Sequence, residues 1–310
     1  MKKFIVLLIM SFVFAQIPAI LFSQEKVQDT PRLNELKVMS FNIWVGGGKS
    51  IEETANVIKQ TSADIVGIQE ASKGGKNNAE KIAKDLGWHS YTANSSRTII
   101  SRFPVVKKST NGKGCKIQIG EKRFVWMFNL HLIHCPYEPY QLNGIPYCGA
   151  PFLNTAEEAI QSALKSRGRD VEETVADIKE AQKDNCPIFL TGDFNEPSCL
   201  DWTEKAAKAG NCKMPVAWPS TKAFIEKAGM KDSYRIKFPD EVTQKGHTWS
   251  SLPPSKNEIF ERIDFLFFHG SNVETLKVQI VGEQSQDTDI GFDNYPSDHR
   301  AVLGTFRLND

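Results

Sequence analysis

The sequence predicts an α/β domain of two packed β-sheets with helices on the outside. Three observations carry this. Short apolar runs alternate with helical patterns over the first half, strands follow one another near the end, and no linker divides the stretch between. With 310 residues and 40% hydrophobic content, the chain can bury a large core.

The first 24 residues stand apart. Lys2 and Lys3 precede an apolar stretch from Phe4 to Phe22, and polarity returns abruptly at Ser23-Gln24-Glu25. This is the pattern of a secretory signal peptide, and Pro18 weighs against an uncleaved membrane anchor. Residues 25–35, with Pro31, read as a linker, and residues 36–310 as one exported domain, periplasmic or extracellular. Removing Lys2 and Lys3 from the 38 basic residues leaves 36 against 37 acidic ones, so no broad electrostatic grip on nucleic acid is expected. Nothing points to an obligate protein partner, and a monomer is expected.

All six cysteines lie in the exported part, and an even count in an oxidising compartment favours disulfides. Cys135–Cys148 and Cys199–Cys212 each close a short loop containing Pro or Gly and are the expected pairs, which leaves Cys115–Cys186. No C-x-x-C occurs, so a zinc cluster is not expected.

In chain order, Leu36–Asn42 alternates as a half-buried strand and ends in a Gly46-Gly47-Gly48 turn. Ser50 can cap a helix starting at Ile51, with Glu52 and Glu53 in its first turn. Asp64–Glu70 reads as a buried strand, and Asn78–Leu86 as a helix closed by Gly87. Strands are expected at Arg97–Ser101 and Phe103–Val106, then a hairpin turn at Asn111-Gly112 leading to Lys116–Ile119. Arg123–His131 reads as a long strand, and Cys135–Phe152 as an irregular segment rich in Pro and Tyr. A helix over Asp170–Lys183 precedes the buried strand Cys186–Leu190, and short helices are expected near Trp202–Ala209 and Thr221–Ala228. Strands at His247–Ser250, Arg262–Phe268, Leu276–Val281 and Arg300–Phe306 complete the chain.

Small polar groups recur at the ends of these strands: Asn42, Glu70, Asn129 and His131, Asp193 and Asn195, Asp264, and Ser297-Asp298-His299. Each alone is ordinary turn or cap chemistry. Together they imply a site, because carboxylates near a buried edge cost free energy unless paired or metal-bound. On an extended chain Asp193 and Asn195 would point the same way, with Phe194 turned into the core.

Ser40-Phe41-Asn42, Gly67-Ile68-Gln69-Glu70, Asn129-Leu130-His131-Leu132, Gly192-Asp193-Phe194-Asn195, Arg262-Ile263-Asp264 and Ser297-Asp298-His299 come in the order of the endonuclease/exonuclease/phosphatase superfamily. Ser101-Arg102-Phe103-Pro104 and His247-Thr248-Trp249 resemble its lesser motifs, and the likeness runs from about Leu36 to Leu308. The resemblance implies a deoxyribonuclease I-like four-layer sandwich of two mixed β-sheets flanked by helices, with the site at one rim. It also implies a divalent-metal-dependent phosphoric ester hydrolase, most readily a phosphodiesterase. The alternatives are an inositol-phosphate type phosphomonoesterase and a catalytically silent binding protein on the same scaffold. Glu70 resembles the family's principal metal ligand, with Asn42 and Asp298 beside it. An all-oxygen set suits Mg²⁺, with Mn²⁺ or Ca²⁺ as substitutes. Asp193 would orient or deprotonate the water, Asn195 would hold phosphate or water, and His299, steadied by Asp264, would stabilise the transition state or move a proton. Either Asp193 or His299 can be the base, and either one or two metals can act. His131 would contact the phosphate or serve the leaving group.

Substrate contacts are expected from Asn129, His134, Tyr137, Tyr140 and Trp249, although for Trp249 packing in the core is the favoured alternative. The Cys135–Phe152 segment follows a catalytic strand directly and is expected to shape the pocket for the group attached to phosphate. That group belongs to a nucleic acid, a lipid head group or a small phosphodiester. Asp287, Asp289 and Asp293 lack the spacing of a calcium loop and read as a solvated turn.

Overall fold

The computed structural model describes residues 35–249 and 258–309. The expected signal peptide and linker lie outside them, apart from Glu35. Two mixed sheets form the centre. Edge to edge, the seven-stranded sheet runs Ile290–Phe292, Val273–Glu283, Ala301–Leu308, Glu35–Asn42, Ile65–Gln69, Arg97–Ser101 and His89–Asn94. The six-stranded sheet runs Lys231–Asp232, Asp264–His269, Ile188–Asp193, Arg123–His131, Gly114–Gly120 and Val105–Lys108.

Period-two patterning builds the layers. Leu36 and Val38 face a core shared by both sheets, whereas Met39 and Phe41 face the helices Ile51–Thr61 and Asn78–Leu86. In the other sheet Met127, Phe189, Leu266 and Phe268 point to the shared core. Phe128, Leu190, Phe265 and Phe267 point outward, beneath the helices Ala156–Gln182 and Pro219–Ala228. The result is the expected four-layer sandwich.

Under the site the sheets are joined by polar contacts. Gln69 Nε2 donates to Asn129 Oδ1 at 2.6 Å, Asn129 Nδ2 donates to the Ile68 carbonyl at 2.8 Å, and Gly192 N donates to Ser40 Oγ at 3.0 Å. Gly67 makes this approach possible, since a Cβ there would lie 1.9 Å from Thr191 Oγ1.

Several expectations need correction. The helix expected from Asp170 starts at Ala156, where Thr155 and Glu158 form a capping box. The His247–Ser250 strand is reduced, among the described residues, to one bridge between Trp249 and His299. Thr248 is instead spent beneath the neighbouring strand, its Oγ1 accepting from the Ile263 and Asp264 amides at 3.0 and 2.9 Å. The Cys135–Phe152 segment contains a short helix, Glu138–Leu142.

Of the three expected disulfides, Cys135–Cys148 is present. Cys115 and Cys186 remain thiols, because the Arg123–His131 strand runs between the strand of Cys115 and the segment of Cys186. Two strand spacings, about 9–10 Å, exceed the reach of a disulfide. Cys199 and Cys212 also stay reduced; both pack on the Trp202–Trp218 cluster, and the Cys199 thiol is engaged with Thr221.

Candidate active site

Adjacent strands deliver the polar strand ends to one rim. In register, Asp193 lies opposite Asp264 on one side and His131 on the other, and Asn42 opposite Gln69. The two sheets then meet through Asn42, whose Nδ2 donates to Asp193 Oδ2 at 2.9 Å and to Glu70 Oε1 at 3.3 Å. Ser297 Oγ donates to the Asn42 carbonyl at 2.6 Å and accepts from His299 N at 3.1 Å, which docks the Ser297–His299 turn on the same rim.

His299 is the electrostatic centre. Its Nδ1 lies 2.9 Å from Asp264 Oδ2 and its Nε2 3.8 Å from Asp193 Oδ2. Burial pushes the imidazole down, but Asp264, Asp193 and Asp298 outweigh burial and hold it up at about 10. Burial raises Asp264 as well, with His299 opposing the shift. The pair therefore keeps its proton on the imidazole, where three carboxylates surround it. Asp193 is 1% exposed on its side chain and faces a second imidazole, His131 Nε2, at 3.7 Å. His131 Nδ1 is held by the Ser96 hydroxyl at 2.5 Å.

Asn195 does not extend the strand as expected. Its φ is +46°, and its amide donates to Asp193 Oδ1 at 2.9 Å, so the chain turns sharply after Asp193. Phe194 does turn inward, packing on Phe224, Phe265 and Phe267. The rim concentrates left-handed backbone: Trp44, Val45 and Glu70 have φ of 53°, 47° and 54°. Each costs of order 1–3 kcal/mol, the strain expected where geometry is imposed by function. That turn aims the Val45 amide at Glu70 Oε2, 2.6 Å away.

Asn129 is a correction. At 1% exposure its carboxamide is occupied by Gln69, Thr191 and the Ile68 and Thr98 carbonyls, so it ties the sheets together and does not reach substrate. His134, Tyr137, Tyr140 and Trp249 do come together, around a cavity of about 220 Å³ that also touches Asn195 and His299. Trp249 lines this cavity with its ring 5.0 Å from that of His299, and is not a core residue. A groove of about 260 Å³ between the helices Ala156–Gln182 and Pro219–Ala228 is larger, but holds none of these groups. Of the three acidic residues, Asp287 lies in an exposed turn, Asp289 accepts from the Ile280 amide at 2.7 Å, and Asp293 follows the edge strand Ile290–Phe292.

Sequence reading missed Ser96, Arg167, Glu196 and Glu258. Arg167 interrupts an apolar helix stripe between Ala163 and Val171, a signal hidden when the helix is started at Asp170. Glu196 directly follows the Asp193–Asn195 motif. Ser96 sits in a turn and Glu258 in an irregular stretch, and neither carries a pattern.

The donor set fits a hard divalent cation. Asp298 is pushed up to about 6 by burial and, against the pull of His299, by the Glu70 charge. A carboxyl raised by a neighbouring carboxylate at a solvent-facing rim is what an oxygen-ligated cation relieves. Asp193, Asp264 and His299 also bring ligand atoms within 4.8 Å of one another. There the imidazole is protonated and tied to Asp264, so that cluster suits proton and anion handling better than metal binding.

Fold and rim together define a phosphoester hydrolase built on two packed sheets. The chain belongs to the Endonuclease/Exonuclease/phosphatase family, whose sequence profile it matches over residues 39–299. It is 29% identical to the uncharacterised protein F14F9.5 of Caenorhabditis elegans, over 88% of this chain and 91% of that one. Among solved structures it resembles TDP2 of C. elegans (TM-score 0.53, 19% identity, 88% of this chain and 74% of that chain). It also resembles the human Nocturnin catalytic domain with bound sulfate anion (TM-score 0.53, 14% identity, 89% and 95%). A third is D. rerio TDP2 complexed with single strand DNA product (TM-score 0.54, 15% identity, 88% and 99%). At these identities the likeness speaks for the fold.

Proposed function

We propose that the chain is an exported phosphodiesterase that attacks phosphorus with a water molecule. The observation that carries this is the chain of contacts from Glu70 through Asn42 to Asp193, with protonated His299 beside it. Glu70 and Asp298 would hold the cation, with Mg²⁺ the best match and Mn²⁺ or Ca²⁺ as substitutes. Asn42 orients Glu70 by donating from Nδ2, while its oxygen is fixed by the Trp44 amide at 3.0 Å. When bound, the cation supplies positive charge to the phosphoryl oxygens.

The remaining work falls to the chain itself. Asp193 orients the water and takes its proton, because His299, held up at about 10, is charged at neutral pH and is no base. The water oxygen joins phosphorus as one P–O ester bond breaks. His299, steadied by Asp264, and Asn195 stabilise the oxygens as negative charge builds. His131, positioned by Ser96, passes a proton to the departing alcohol.

A diester is favoured over a monoester. Among the described residues no Lys or Arg lines the cavity beside His299 to meet a dianion, and the cavity has room for a second alcohol. Hydrolysis of bis(p-nitrophenyl) phosphate and p-nitrophenyl phosphate with Mg²⁺ tests this; faster turnover of the monoester would reverse the assignment. Lys2, Lys3 and the apolar run support export, checked by N-terminal sequencing of the protein recovered outside the cytoplasm.

A further inference from the structure

The cavity next to His299 has a chemistry that points to one kind of alcohol. Three tyrosines form a wall of mutually steep rings: Tyr137 and Tyr140 meet at 86° and Tyr140 and Tyr147 at 88°, with centroids 4.8 and 5.5 Å apart. Trp249 adds another ring. A carboxylate braces the enclosure, since Glu258 accepts from the Tyr140 hydroxyl and, at 3.0 Å, from Trp249 Nε1. The Tyr137 hydroxyl is buried and has no hydrogen-bond partner among the described residues, although Tyr137 lines the cavity. A buried donor left in this state signals a ligand acceptor.

We propose that this cavity seats a quaternary ammonium group, so that the substrate is a phosphodiester of a choline-type alcohol. The inference rests on the phosphodiesterase reading above. Ring faces set at right angles and backed by a carboxylate attract a rounded, weakly hydrated cation from several sides. The volume of about 220 Å³ admits a trimethylammonium-ethyl unit. Among the described residues no Lys or Arg lines the cavity and Glu258 braces it, so a further phosphate finds no ammonium or guanidinium there. The phosphorus then lies at the mouth, where Asn195 and His299 are shared with the catalytic rim. Tyr137 donates to an ester oxygen.

The test compares kcat/KM for p-nitrophenylphosphorylcholine, bis(p-nitrophenyl) phosphate and thymidine 5′-(p-nitrophenyl phosphate), with tetramethylammonium as competitor. The choline ester is expected to be preferred by about tenfold or more, with competitive inhibition by tetramethylammonium. In Glu258→Gln and Trp249→Ala the preference falls toward parity. If bis(p-nitrophenyl) phosphate or the thymidine ester is cleaved as well as the choline ester and tetramethylammonium does not compete, the pocket assignment falls while the hydrolase reading stands. If no ester is cleaved with any divalent cation, the hydrolase reading falls, and tryptophan fluorescence decides the pocket. Saturable quenching by tetramethylammonium, lost in Trp249→Ala, supports it, and its absence overturns it.

Discussion

Arg167→Met is the most exacting substitution for the scaffold behind the site. Arg167 is 1% exposed and projects from the long helix into the base of the substrate loop. Its Nε donates to the Ile133 carbonyl at 3.0 Å, one terminal nitrogen to the Pro136 carbonyl at 2.6 Å, and the other to Glu138 at 2.8 Å and near Glu196 at 3.9 Å. Both carboxylates are fully buried. Methionine keeps much of the volume but strands two acids, a loss expected to cost about 3–5 kcal/mol. The penalty depends on pH. Burial, against Arg167, lifts Glu196 to about 7, above its unfolded value, so the folded state binds the extra proton. That contribution is present below the unfolded value and lost as pH rises through about 7. Removing Arg167 raises Glu196 further, so the penalty should be larger at pH 8 than at pH 5. Urea unfolding at both pH values reads it, and Glu196→Gln in the Met background should recover part of the loss at pH 8. A loss below about 1 kcal/mol, or one equal at both pH values, would refute the reasoning.

Other substitutions reach other parts of the account. Asp264→Asn should leave the fold intact by circular dichroism and lower kcat by about 10²–10⁴, because His299 loses the charge that holds its proton. Gly67→Ala forces a methyl against Thr191 and Asn129 where the sheets meet, and should cost about 1–3 kcal/mol in denaturant unfolding. Replacing Cys135 and Cys148 together with Ser frees a loop spanning 13 positions; the expected loss is about 3 kcal/mol, with a raised KM because the loop carries Tyr137 and Tyr140.

Much of this molecule was legible before any coordinates. The Asn78–Leu86 helix and the Arg123–His131 strand stand where the closing Gly87 and the long apolar run put them, since local signals and burial agree there. The convergence of the polar strand ends was legible because strand ends in register must meet, which brings Asp193, His131 and Asp264 side by side. Long-range packing was not. Nothing local says that Asn129 looks into the gap between the sheets, or that the Arg123–His131 strand separates Cys115 from Cys186. Ser96 and Glu258 act through neighbours remote in sequence, His131 and Tyr140, so no spacing announces them. Thr155 with Glu158 was a readable capping box, and overlooking it removed Arg167 from view.

The central claim is that Glu70, Asp298, Asp193 and His299 form a metal-dependent site for phosphoester hydrolysis. The most direct measurement is hydrolysis of bis(p-nitrophenyl) phosphate by the purified protein after treatment with a chelator, then after addition of Mg²⁺ or Mn²⁺. Wild type, Glu70→Gln and Asp193→Asn are followed in parallel. The account expects activity abolished by the chelator and restored by the cation in wild type. It expects Glu70→Gln to need far more cation, and Asp193→Asn to stay at least about 10²-fold slower at saturating cation. Undiminished hydrolysis in the chelator, or full activity in Asp193→Asn, would contradict it.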